Sequence, residues 1–91
     1  MENYSAVHFG KVLKKLRKTQ KLSQEGLAHR CSRDRSYISL MERNIKKPSL
    51  ATIFALSIGL DMKASEIIKE IEQHPENKWL RDSIEDQCQN E

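Results

Sequence analysis

Apolar residues recur at helical spacing through most of the chain, and no stretch alternates with the period of a strand. Phe9, Leu13 and Leu16 form one stripe, with Val12 beside it, predicting a first helix over residues 6–20. Leu27, Ala28 and Cys31 share a face of a second, shorter helix over 24–31, for which Ser23 is the N-cap. A tight turn, Cys31-Ser32-Arg33, leads to a third helix over 35–43. Asp34 caps it, and a carboxylate suits the positive end of a helix. Ile38 and Met41 point inward there, with Tyr37 partly covered. Residues 44–49 form a polar loop that Pro48 keeps from continuing the helix. Ser49 caps a fourth helix over 50–58, Gly59 stops it and Leu60 returns to the core. A fifth helix over 64–73 carries Ile67, Ile68 and Ile71 and ends before Pro75. A sixth, over 77–87, places Trp79, Leu80, Ile84 and Cys88 near one stripe, and residues 1–5 are a loose arm. The expected fold is all-α: a compact five-helix domain over 1–74, with an extra C-terminal helix and tail over 75–91.

The fourth helix has more apolar surface than one small core can use. Leu50, Ile53, Ser57 and Leu60 make one stripe, and Ala51, Phe54, Ala55 and Ile58 make a second. Either a second subunit covers the extra stripe, or the helix around Trp79 folds back onto it.

Charge sharpens the picture. The net charge of +3 divides unevenly: residues 1–47 hold 12 Lys or Arg against 4 Asp or Glu, whereas residues 48–91 hold 4 against 9. The first half is thus +8 and the second −5, a basic surface for a polyanion backed by a face that repels it. Two cysteines far apart, without a CxxC pair, exclude a zinc-finger or disulfide framework, and His29 with Cys31 lacks a second ligand pair, so no metal and no cofactor is expected. No apolar run reaches membrane-spanning length and the N-terminus is not a signal peptide, which makes a reducing cytoplasm the expected compartment. Ser, His and Asp occur, but no spacing supports a catalytic triad, and no small-molecule site is evident; an enzyme is not expected.

The outer side of the third helix carries the function. Arg35, Ser36, Ser39 and Leu40 are left there once the apolar stripe is turned inward. A helix facing only water more often carries Glu/Lys pairs. An Arg in the first turn followed by small hydroxyl residues suits base edges, and two short helices joined by a tight turn are the device that places one helix in the DNA major groove.

The segments Leu22-Ser23-Gln24-Glu25, Leu27-Ala28, Ser36-Tyr37-Ile38-Ser39, Glu42-Arg43-Asn44 and Pro48-Ser49-Leu50 resemble the phage repressor and Cro type of helix-turn-helix, the bacterial regulators related to the λ repressor DNA-binding domain. The resemblance spans residues 8–72, and DRSYIS, ERN and LDMKAS look most like the controller proteins of restriction–modification systems. It implies a transcriptional regulator binding a palindromic operator as a homodimer, with the second stripe of the fourth helix (Ala51, Phe54, Ala55 and Ile58) at the interface. It also implies an ion pair between Arg17 and Glu42. Arg35 is then the leading base reader, bidentate to guanine, with Ser36, Ser39 and Leu40 as further base contacts. Gln24, assisted by neighbouring backbone N–H groups, and Tyr37, Arg43, Asn44 and Lys46 are expected on the phosphates. The chain departs from the family at Ser32, where Gly is usual in the turn, and at Gly26, where Glu would complete a capping box.

Two rival functions fit parts of the sequence. A protein-interaction module of the same fold, like the antitoxin of a toxin–antitoxin pair, would use the extra apolar stripe and the acidic half. A non-specific nucleic-acid binder would want more aromatic residues for stacking than this chain has.

Overall fold

The computed structural model describes residues 7–78. It contains α1 (Gly10–Thr19), α2 (Gln24–Arg30), α3 (Arg35–Glu42), α4 (Leu50–Gly59) and α5 (Ala64–Gln73), followed by a short 3-10 turn, Pro75–Asn77, with no strand among the described residues. The proposed sixth helix lies outside the described residues apart from its first two positions, and Asn77 belongs to the 3-10 turn instead.

One core joins the five helices. α2 packs on α3 and α4, α1 on α3, and α4 on α5. Leu13, Leu27, Ile38, Met41, Leu56, Leu60 and Ile67 are fully buried, with Phe9, Ala28, Cys31 and Ile53 around them. Each large aliphatic side chain removed from water contributes about 1.5–3 kcal/mol. The helical stripes therefore fall where the sequence places them, except on α4. There the buried face is Thr52, Ile53, Leu56, Ser57 and Leu60, while Leu50 stands 70% exposed and joins the outer stripe. Ser57 tolerates burial because its hydroxyl donates to the Phe54 carbonyl of its own helix, 2.5 Å away.

The N-caps differ from helix to helix. The hydroxyls of Ser23 and Ser49 accept from the backbone N–H groups of Gly26 and Thr52. Asp34 occupies the cap position of α3 in an extended conformation but makes no side-chain cap bond. α1 begins only at Gly10, because Val7, His8 and Phe9 are held out of the helix by other elements. Asn77, buried, accepts from the His8 N–H (2.7 Å) and donates to the carbonyls of His8 and Ile71 (both 2.9 Å). This clip ties the strand of chain before α1 to the end of α5.

The helix ends share one device. Lys21, Ser32, Asn44 and Asp61 have φ of 60°, 55°, 61° and 55°, and each sits two residues beyond the end of α1, α2, α3 and α4 respectively. At all four ends the next N–H reaches back to a carbonyl one turn earlier, as Leu22 to Arg17, Arg33 to Ala28, Ile45 to Leu40 and Met62 to Ser57. These are Schellman closures, and none uses glycine. Gly59, expected as the stop of α4, is instead its last helical residue, and Asp61 makes the left-handed step. Gly59 is small for a packing reason: a Cβ there would lie 3.0 Å from Leu27 Cδ1 and 3.2 Å from the Cys31 Cβ.

Candidate nucleic-acid interface

α2 and α3, joined by Cys31–Asp34, present α3 on the surface. Arg35 and Ser36 are exposed in its first turn; Ser39 and Leu40 follow on the same side, half-buried. Arg43 and Lys46, in the connection after α3, are exposed. Tyr37 is half-buried, its hydroxyl 3.5 Å from that of Thr52 on α4, which in turn lies 3.0 Å from Ser49 Oγ.

Behind α3 lies a polar node. Arg17 of α1 and Glu42 at the end of α3 form a bidentate pair, Nε to Oε2 at 2.5 Å and Nη2 to Oε1 at 3.1 Å, with side chains 10% and 4% exposed. The third guanidinium nitrogen donates to the Leu22 carbonyl at 2.7 Å. The hydrogen bonds it donates to Glu42 hold the Arg17 guanidinium more firmly protonated than an ordinary arginine, against the opposing effect of burial. Such a pair contributes little net stability, because desolvation offsets the attraction; it ties the end of α3 to α1.

Two residues expected on phosphates are engaged elsewhere. Gln24 Nε2 donates to Glu42 Oε1 at 3.1 Å, so its side chain belongs to the node. Of the neighbouring N–H groups expected to assist it, that of Gly26 is already donated to Ser23 Oγ. Asn44 Oδ1 accepts from the N–H groups of Phe9 (3.1 Å) and Gly10 (3.2 Å), and its amide donates to the Val7 carbonyl (3.3 Å). Asn44 is therefore the cap of α1, supplied from beyond α3. Lys47, not singled out from the sequence, folds back onto the same carbonyl at 3.1 Å.

Away from this surface, α4 and α5 leave Leu50, Phe54, Ile58 and Ile68 in water, with Phe54 56% and Ile58 75% exposed. Ala51 lies on this face, whereas Ala55 is half-buried and packs against the core. A mostly apolar groove of about 410 Å³ lined by Val7, Phe9, Lys47, Pro48, Leu50, Ile53, Ile68 and Ile71 adjoins it. No group of three or more His, Cys, Asp or Glu could hold a metal among the described residues, and no helix there is long and apolar enough to cross a membrane.

Comparison with known proteins places this geometry. A family model described as helix-turn-helix matches residues 13–67. A control protein, C.MunI of a Mycoplasma species, is 40% identical over 68 residues, covering 74% of this chain and 92% of that protein. The crystal structure of the restriction–modification controller protein C.AhdI from Aeromonas hydrophila is 38% identical, with a TM-score of 0.69 over 72% of this chain and 99% of that one. The controller protein C.Esp1396I, solved as a tetramer in complex with its natural 35 base-pair operator, is 30% identical, with a TM-score of 0.64 over 79% of this chain and 100% of that one.

Proposed function

Because the chain belongs to the helix-turn-helix family, we propose that it is a sequence-specific DNA-binding transcriptional regulator, acting in the cytoplasm as a homodimer on a two-fold operator, and not an enzyme. The observation that carries this reading is the exposed first turn of α3, with Arg35 and Ser36 projecting from a helix whose far end is anchored by the buried Arg17–Glu42 pair. A reading side chain must be held in place before contact, since base discrimination depends on the geometry of bidentate hydrogen bonds. Arg35 reads guanine O6 and N7, Ser36 and Ser39 make shorter contacts, and Leu40 meets a thymine methyl. Arg43 and Lys46 neutralise phosphates on the flank, and Tyr37 can reach them by giving up its long contact to Thr52.

The exposed apolar residues of α4 and α5 support the dimer. Leu50, Phe54, Ile58 and Ile68 are too large a group to leave in water on so small a domain. Pairing this face with its symmetry mate sets two α3 helices on one side of the duplex. Several of the similar proteins are controller proteins of restriction–modification systems, so the gene's neighbourhood should hold a methyltransferase and an endonuclease.

The direct test is a mobility-shift titration of the purified protein on DNA upstream of its own gene, with unrelated DNA as competitor. Retention of the complex at a large excess of competitor supports the reading. Equal competition by specific and unrelated DNA contradicts it.

A further inference from the structure

We infer that Lys14 and Lys18 form a second phosphate-binding edge, on α1, which extends the DNA contact beyond α3 and the loop after it. This rests on α3 being the reading helix. α1 carries no acidic residue, and its lysines, Lys11, Lys14, Lys15 and Lys18, are all exposed. Helical spacing divides the four between two edges. Lys14 lies one turn after Gly10 and one turn before Arg17, and Lys18 lies one turn after Lys14. Gly10 and Arg17 both abut the end of α3. A Cβ on Gly10 would meet the Glu42 carbonyl group, and the Arg17 guanidinium binds the Glu42 carboxylate. Lys14 therefore stands beside the end of α3, where Arg43 and, past the turn, Lys46 are exposed.

Lys11 and Lys15 lie on the opposite edge. Lys11 Nζ is 2.8 Å from Glu76 Oε1, and Lys15 borders a hollow shared with Glu70, Gln73, His74 and Pro75. These two lysines face carboxylates. Lys14 and Lys18 form no ion pair among the described residues. The difference decides which edge suits a polyanion. A lysine paired with a carboxylate brings both charges to a phosphate and neutralises little of it, whereas an unpaired one brings a whole positive charge. A phosphate contact carries no sequence information. The edge therefore adds affinity and salt dependence, and leaves discrimination to α3.

Two double variants make the same charge change on the same helix and differ only in the edge: Lys14→Gln with Lys18→Gln, and Lys11→Gln with Lys15→Gln. Glutamine keeps the helix propensity of lysine, and circular dichroism checks the fold of each. Affinity is measured by fluorescence anisotropy across a salt series, for a site selected from random-sequence DNA and for an unrelated duplex. The first variant should lower the slope of log affinity against log salt by about 1–2 units, since each phosphate contact contributes about 0.9, and should weaken both DNAs by a similar factor. The second should leave the slope within about half a unit of the unmodified protein. An unchanged slope in the first variant puts this edge of α1 away from the duplex and overturns the inference. An equal fall in both variants makes the lysines a diffuse field and overturns it as well. If the unmodified protein prefers no site, the reading of α3 fails instead, and the slopes on the unrelated duplex still decide for or against the edge.

Discussion

Gly10 donates its backbone N–H to Asn44 Oδ1 at 3.2 Å, joining the first residue of α1 to the left-handed residue that closes α3. The same glycine lies so close to the end of α3 that a Cβ would run into the Glu42 carbonyl group, with the Met41 carbonyl oxygen at 2.8 Å. The start of α1 thus rests directly on the end of α3. Asn44 is what satisfies the N–H groups that no local side chain caps.

Gly10→Ala should therefore destabilise the domain by at least about 2 kcal/mol, since backbone, not a mobile side chain, must give way. Asn44→Gly should cost about 1–2 kcal/mol: it keeps the left-handed turn and loses the cap together with the bond to the Val7 carbonyl. Thermal unfolding by circular dichroism checks both. A melting temperature unchanged in either would remove this contact from the account.

Ser32 offers the opposite sign. It holds φ 55° between α2 and α3, a conformation that costs a residue with a Cβ about 1 kcal/mol. Ser32→Gly should raise stability by about 0.5–1 kcal/mol, part of the gain being offset by the freer unfolded chain. The melting temperature should rise by a few degrees, with DNA affinity unchanged; a lower melting temperature would show that the Ser32 side chain is needed in the turn.

The helices and most of the core were legible because their signal is periodic and local. Leu27, Ala28 and Cys31, or Ile38 and Met41, can be read inward from spacing alone. What escaped was set by long-range polar bonds with no local signature. Asn44 looks like an exposed loop residue until α1 is folded against it, and Gln24 looks free until Glu42 is beside it. Asn77 likewise reads as the start of a helix, and its clip to His8 spans nearly the whole domain. The helix stops misled for another reason: glycine marks left-handed closures only on average, and here Asp61 takes that place while Gly59 serves a close approach of α4 to α2. Leu50 leaves the stripe that spacing gives it because one residue at the first turn of a helix lies on the border of both stripes.

Ile58→Glu tests the dimer face. Ile58 is 75% exposed, so the folded monomer should accept a charge there without loss of helical signal. Across a two-fold axis the two carboxylates repel. Sedimentation should show a monomer at micromolar concentration, and tight DNA binding should be lost. A variant that stays dimeric would move the interface to another face, and one that unfolds would show that this stripe is covered from within the chain.

Cys31 carries a pH prediction. Burial pushes its thiol above the ordinary value of 9.0, with Arg33 opposing more weakly. Its contribution to stability is complete below the unfolded thiol's pKa and is lost as pH rises through the higher folded value, because the unfolded chain ionises first. In a chain carrying Cys88→Ser, alkylation at neutral pH should be far slower folded than in denaturant, and Cys31→Ala should flatten part of the alkaline fall in stability. Equal alkylation rates in the two states would contradict the burial.

The proposed function requires α3 to read base sequence from a symmetric dimer. Selection of bound sites from a random-sequence duplex pool, carried out in parallel with the unmodified protein and Arg35→Ala, tests it most directly. A two-fold symmetric motif with half-sites about 10 base pairs apart is expected. Arg35→Ala should cost about 1–3 kcal/mol on that motif and relax the preference at one guanine in each half-site. Recovery of no motif, or of a motif whose information is unchanged by Arg35→Ala, would contradict it.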